Sequence, residues 1–177
     1  MATQLEVARE ALAQIGTRSK IASLDDGSAE ATYINLLYGP IRDFLLVDGD
    51  YDFSLTHVGL VAVTPVVFPW KFAYEYPEEA LRIRQLVPKL YDPLDPRPME
   101  WNVTAGTGHF IYASEAVERA LITFRAAEDI WDGMFRQSFV RMLASALAFA
   151  LENRIEASKV KLDEALGFAG IAKLRDM

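Results

Sequence analysis

Few residue groupings in this chain of 177 residues could do chemistry, and each fails on type or spacing. The two histidines, His57 and His109, stand far apart in β-rich or turn segments. They could form a dyad or metal pair only by tertiary coincidence, and they read as ordinary strand or hairpin residues. Asp48-Gly49-Asp50-Tyr51-Asp52 imitates the start of a calcium loop. Its sixth position, however, is Phe53 where glycine must turn the chain, and its twelfth is Gly59 where a bidentate glutamate belongs. It reads as a solvated turn. Gly106-Thr107-Gly108-His109 lacks the further glycine and the lysine of a phosphate-binding loop, and it opens no helix. Glycoside cleavage needs two carboxylates held across a cleft. Glu78 and Glu79 are adjacent, follow a proline and point apart, so they read as turn residues. There is no Gly-Xaa-Ser-Xaa-Gly elbow for a serine nucleophile. Cysteine is absent, which removes thiol nucleophiles, disulfides and cysteine zinc sites together. The expectation is a protein with no catalytic site, no metal and no cofactor, and not an enzyme.

Composition points the same way. The formal net charge is −7 and the sequence pI about 4.9. Nucleic-acid binders gain affinity by neutralising phosphates, yet the basic residues here are scattered, with Arg82 and Arg84 the nearest approach to a cluster. Sequence-specific nucleic-acid binding is not expected. Hydrophobic residues make up 51% of the chain, enough for a core without disulfides or metals. The start, Met-Ala-Thr-Gln-Leu-Glu, has neither the basic nor the apolar region of a signal peptide. The longest strongly apolar stretch, around Met142 to Leu151, is too short to span a bilayer. A soluble protein made in a cytoplasm is expected.

The elements that would carry these residues are legible from periodicity and caps. Thr3 and Glu6 have capping-box spacing, Leu5, Ala8, Leu12 and Ile15 recur at helical spacing, and Gly16 is a natural stop. After a polar loop at Ser23 to Ser28, a second helix capped by Asp26 or Ser28 carries Ala31, Ile34, Leu37, Tyr38, Ile41 and Leu45, with a kink expected at Gly39-Pro40. From about Asp52 the pattern turns extended. Phe53 to Val63 is β-rich, Thr64 to Pro69 is a loop, and Phe72 to Tyr76 and Leu81 to Val87 read as strands flanking a turn. Pro88 to Pro98 is a long proline-rich loop. Trp101 to Thr104 and Phe110 to Tyr112 read as a hairpin, and Ala120 to Phe124 as the last strand. A third helix from about Asp132 places Phe135, Phe139, Met142, Ala146 and Phe149 or Ala150 on one face, with small residues permitting close approach. A fourth, from about Ile155, holds Ile155, Lys159, Leu162 and Leu166 in register, and Gly167 and Gly170 weaken its end.

The predicted fold class is therefore α+β, mainly helical. A four-helix bundle-like lobe (about 1–50 and 132–175) carries a small antiparallel β lobe (about 52–125) inserted between helices 2 and 3, in one domain. On that β lobe Trp70, Phe72, Tyr74 and Tyr76 alternate along one strand face. The stripe reads as a sheet face packed on the helices, or in part as an interface anchor, since Trp and Tyr are favoured in subunit contacts.

Taken in order, several stretches resemble the phage head-to-tail adaptor family that includes tail tubular protein A and the tail accessory factors. Ala11-Leu12-Ala13-Gln14-Ile15-Gly16 running into Ile21-Ala22-Ser23-Leu24-Asp25-Asp26-Gly27-Ser28 is similar to the family's first helix and following segment. Leu36-Leu37-Tyr38-Gly39-Pro40-Ile41-Arg42-Asp43 resembles its Tyr-Pro-Xaa-Val-Arg-Asp helix, with one extra glycine. Trp70 to Pro77 followed by Ala80 to Arg84 resembles its aromatic strand pair, with Ala80 in place of a common cysteine. Leu121 to Phe124, Trp131 to Phe135 and the alanine-rich helix echo its closing segment. Asp52-Phe53-Ser54 departs from the family's Pro-Trp-Asn-Phe-Ala.

The resemblance implies a virion protein at the head-tail junction, synthesised in the host cytoplasm. It implies a dodecameric ring of copies between the portal protein and a distal tail or nozzle protein, with DNA passing through the lumen unbound and no membrane contact. A net acidic lumen would let DNA slide without salt-dependent adhesion. Head-to-tail ring closure needs two unlike, complementary faces on each copy. Candidate interface positions are Ile41 and Leu45 on the second helix, Trp70, Tyr74 and Trp101 on the β lobe, Tyr91 and Asp92 in the proline-rich loop, and Leu174 near the end of the chain. A virion-associated cell-wall hydrolase and a helical interaction module outside any phage stand as alternatives.

Overall fold

In the computed structural model, which describes residues 3–16, 21–64, 66–90, 99–105, 109–152 and 160–169, helix α1 (Gln4–Gln14) begins on the expected capping box. The Glu6 amide donates to Thr3 Oγ1 at 3.3 Å, and the Thr3 amide donates to Glu6 Oε2 at 2.9 Å. Gly16 follows with φ of 75°, a left-handed conformation that glycine alone adopts without strain. The buried face is Val7, Ala8, Ala11, Leu12 and Ile15, with Leu5 only half-buried.

The loop into helix α2 (Ala29–Asp48) is tied down by side chains. The Arg9 guanidinium donates to the Ile21 and Ala22 carbonyls at 2.9–3.1 Å, and Asn35 Nδ2 donates to the Leu24 carbonyl at 2.8 Å. Ser28 is the N-cap, accepting from the Ala31 amide at 3.1 Å. Asp26 braces the loop instead, accepting from the Ala22 and Ser28 amides and the Ser28 hydroxyl.

Pro40 does not end α2, which runs continuously from Ala29 to Asp48. Proline removes the bond that would reach the carbonyl of residue 36. Both Pro40 and Leu36 lie on the solvent side, so the orphaned carbonyl sits on the face that water can reach.

Helices α1 and α2 both pack on α3 (Gly133–Glu152), whose buried side chains Phe135, Phe139, Val140, Leu143, Ala144, Leu147 and Ala148 cover more than one face. An aromatic cluster fills the centre. Tyr38 meets Phe139 edge-on at 4.7 Å, Trp131 meets Phe135 and Phe139 at 5.0 Å, and Tyr51 meets Phe135 at 4.9 Å. Two of its polar atoms are satisfied locally: Trp131 Nε1 donates to the Ala126 carbonyl at 2.9 Å and the Tyr38 hydroxyl to Glu128 at 3.0 Å. Burial first, then the Glu128 carboxylate, hold the Tyr38 phenol far above its ordinary pKa, so it stays a donor. Of the two alternatives for the last position of the expected stripe, Phe149 is 58% exposed and Ala150 half-buried.

Helix α4 (160–169) corrects a second stripe. Ala165 and Ala169 are buried, while Leu162 and Leu166 lie exposed; Ile155 and Lys159 fall outside the described residues. Small residues let α4 come close enough for Ser138 Oγ to donate to the Ala165 carbonyl at 2.8 Å. Arg141 pairs with Glu164 at 3.2 Å and lies over the Phe168 ring at 4.2 Å, closing the same seam.

The fold is not mainly helical. Of the described residues 44% are helical and 25% lie in strands. The strands form two three-stranded antiparallel sheets where one small sheet was expected. Strands β1 (Leu55–Gly59), β2 (Phe72–Glu75), β3 (Ala80–Pro88), β4 (Trp101–Ala105), β5 (His109–Ala113) and β6 (Val117–Phe124) assemble in the orders β1-β6-β3 and β2-β5-β4. The β4–β5 hairpin is present. β2 and β3, read as one strand pair, belong to different sheets. The chain divides into two compact units, Met1–Phe53 with Ala126–Met177 and Ser54–Arg125.

Within Ser54–Arg125 the two sheets share one core of Tyr74, Ile83, Leu86, Ile111, Ala113, Val117, Ala120 and Ile122. A bulge at Arg84 explains how Ile83 and Leu86, three residues apart, both reach it. Ile83 pairs with Ile122 and Leu86 with Ala120, so the extra residue resets the strand's alternation. Tyr74 lies in this β core. Its hydroxyl accepts from the Val117 amide at 2.8 Å, joining one sheet to the other.

Candidate functional site

The residue types suited to chemistry stay apart. His57 lies on β1 and His109 on β5, in different sheets, and His109 packs on the Tyr76 ring at 5.4 Å. Glu78 and Glu79 stand exposed on the turn before β3. Asp48 ends α2, Gly49 caps it, and Asp52 opens a single 3-10 turn. Among the described residues no group of three or more His, Asp or Glu could hold a metal. No described helix is long and apolar enough to cross a membrane.

The groups with displaced pKa values do not converge either. The Ser28 hydroxyl and amide hold Asp26 down, and the hydrogen bond from Lys161 holds Glu164 down. Burial raises Tyr76 within the β unit and Tyr38 within the helical one. Each has a structural cause at its own element.

What the surface does present is apolar. Phe68 is 92% exposed, Val61 62%, and Val67 55%. The segment carrying them is built on β2: the Val63 amide donates to the Ala73 carbonyl and the Glu75 amide to the Val61 carbonyl, both at 2.9 Å. At the tip the Trp70 amide donates to the Val67 carbonyl at 3.0 Å, closing a turn that contains the cis Phe68–Pro69 peptide. The turn holds the Phe68 ring out in solvent. The segment falls in the run from Phe53 to Trp70, the longest stretch of the chain without Asp, Glu, Lys or Arg.

A second apolar surface runs along α2. Leu36 is 65% and Phe44 56% exposed, with exposed Pro40 between them. Spacing of four residues puts all three on one helix face. Beside Phe44, Arg42 and Asp43 are paired at 3.1 Å.

The expected interface positions are placed differently. Leu45 and Tyr74 are buried, and Ile41, Trp70 and Trp101 are half-buried. Tyr91, Asp92 and Leu174 lie outside the described residues. The exposed positions Phe68, Val67, Leu36 and Phe44 escaped the sequence reading. The signal was available at the first two: three apolar residues, Val66 to Phe68, inside a long uncharged run. On α2 the stripe Leu36, Pro40, Phe44 lies beside the one that is buried. No family model matches the chain, and no curated protein matches it.

Proposed function

We propose that this chain is a ring-forming structural subunit, a head-to-tail adaptor of a tailed bacteriophage placed between portal and tail. The observation that supports it best is the pair of unlike apolar surfaces, a projecting turn at Phe68 and a linear stripe on α2. Contiguous exposed apolar patches are among the features that mark protein–protein contact sites. Unlike surfaces on one chain suit head-to-tail assembly, because pairing one with the other leaves both ends free to continue. The ordered resemblance to the adaptor family supplies the phage context.

Charge supports the DNA-conducting part of the reading. The helical unit holds 17 acidic against 11 basic residues, and the β unit 8 against 7. A lumen lined by the acidic unit repels the phosphate backbone and lets DNA slide. The portal, a distal tail protein and other copies are the partners in this reading, with no cofactor.

The test is to mix the purified chain with its cognate portal and image the product by electron microscopy. A ring of adaptor density beneath the portal is expected. A portal left bare at high adaptor concentration overturns the reading, and a stable monomer or dimer that never forms rings favours an interaction module of another kind.

A further inference from the structure

We propose that the uncharged turn around Phe68 of one copy packs onto the Leu36, Pro40 and Phe44 face of α2 on a second copy. The proposal rests on the ring reading for its partner, and it names the two surfaces that meet.

Shape is the first support. Leu36 and Phe44 are eight residues apart on a continuous helix, about 12 Å at 1.5 Å rise per residue. Between them Pro40 contributes only a flat ring, and neighbouring Gly39 contributes no side chain. A side chain added at Gly39 would meet nothing within 4 Å, so the face is open beside Pro40, between the exposed Leu36 and Phe44. Phe68, held out by the turn closed between Val67 and Trp70, is a ring with the reach to meet it. Aromatic anchors dominate many interfaces.

Charge is the second. Two copies that each carry −7 repel, and a contact through uncharged surface adds no further like charge at close range. The turn lies in the longest charge-free run, and Ala31 to Ile41 on α2 is charge-free as well. The flanking Arg42 and Asp43 are paired with each other.

Area is the third. An aromatic side chain carries about 200 Å², so Phe68 exposes most of that and Phe44 about half. With Val61, Val67 and Leu36 added, the pooled apolar area remains below the ~1,200 Å² of a stable two-body complex. Such a contact suits copies joined on both sides within a ring, and it falls short of what a lone high-affinity partner would need. A bilayer is the competing occupant for an exposed Phe-Pro-Trp tip, but a net acidic chain is repelled by anionic headgroups.

The chain has no cysteine, so the contact can be tested by disulfide formation between introduced thiols. Val67→Cys, exposed beside the Phe68 anchor, and Gly39→Cys, where an added side chain meets nothing within 4 Å, are purified separately and leave Phe68, Leu36, Pro40 and Phe44 in place; Glu79→Cys, on the exposed turn before β3, is the collision control. On mild oxidation the mixture of Val67→Cys and Gly39→Cys is expected to cross-link roughly tenfold faster than Val67→Cys with Glu79→Cys, because contact raises the local thiol concentration. The chain carrying both substitutions should give a ladder of multimers. A mixture no faster than the control overturns the proposal. So does Val67→Cys alone cross-linking as fast as the mixture, since that marks a like-with-like contact. Binding of the unmodified chain to phosphatidylcholine vesicles, lost in Phe68→Ser, would also overturn it by assigning the turn to lipid. Rings on the portal without the specific cross-link sink this contact and leave the adaptor reading standing. The cross-link with a bare portal does the reverse.

Discussion

Replacing Tyr74 with phenylalanine removes one oxygen from the core of the β unit and leaves the ring that packs there. That oxygen accepts from the Val117 amide at 2.8 Å in a buried setting. Val117 opens β6 opposite Pro88. Tyr74→Phe therefore leaves a buried donor without its partner, a cost of about 1–3 kcal/mol rather than the smaller net value of an average hydrogen bond. Expressed as an equilibrium, the loss is roughly 5- to 150-fold. Urea unfolding should show it as a lowered midpoint with an unchanged slope. Amide exchange at Val117 should accelerate by a comparable factor while α1 and α2 keep their protection, because the bond lies wholly within Ser54–Arg125. An unchanged midpoint together with unchanged Val117 protection would refute the assignment of Tyr74 to the core. Were Tyr74 an interface anchor, the isolated chain would be indifferent to Tyr74→Phe and only assembly would change.

Three further outcomes are expected. Ser28→Ala removes the α2 N-cap and should cost about 1 kcal/mol by urea unfolding. Because the Ser28 bonds are the largest cause of the depressed Asp26 pKa, NMR titration of that variant should move Asp26 back up toward the ordinary carboxylate value. Gly49→Ala would place a methyl carbon 2.5 Å from Tyr51 Cζ, in a ring held between Phe53 and Phe135, and should destabilise by about 1–3 kcal/mol through forced repacking. Glu164 is depressed by Lys161 and then by Arg141, so its contribution is fully present above the ordinary glutamate value of about 4.3 and is lost as pH falls through its lower folded value. Amide exchange across α4 should rise in that acid window, and Glu164→Gln should flatten the dependence.

Much of the local structure was legible because it is written in contacts three or four residues apart. The Thr3–Glu6 box, the cap at Ser28, the left-handed Gly16 and the β4–β5 hairpin each depend on neighbours in sequence. Helix faces were legible only in part. In α4 helical spacing marks the leucines as the stripe, yet the seam against Ser138 and Arg141 takes alanines, since the hydrogen bond at 2.8 Å needs close backbone approach. In α2, apolar residues lie on both faces, and hydrophobicity does not say which one the rest of the chain covers.

The sequence by itself determined that the likeliest chemistries lack their residues: no thiol exists, the calcium-loop and phosphate-loop spacings fail, and the balance is acidic. It also determined where most helices and strands begin and end. Only the tertiary structure decided that the strands divide into two sheets, that β2 and β3 part company, and that the Arg84 bulge brings both Ile83 and Leu86 into the core. Strand alternation fixes which residues share a face but carries no information about a partner far along the chain. The same limit applies to the surfaces offered for assembly. Leu45 and Phe44 are adjacent and both apolar, and the packing of α2 alone decides that the first is buried and the second left in solvent.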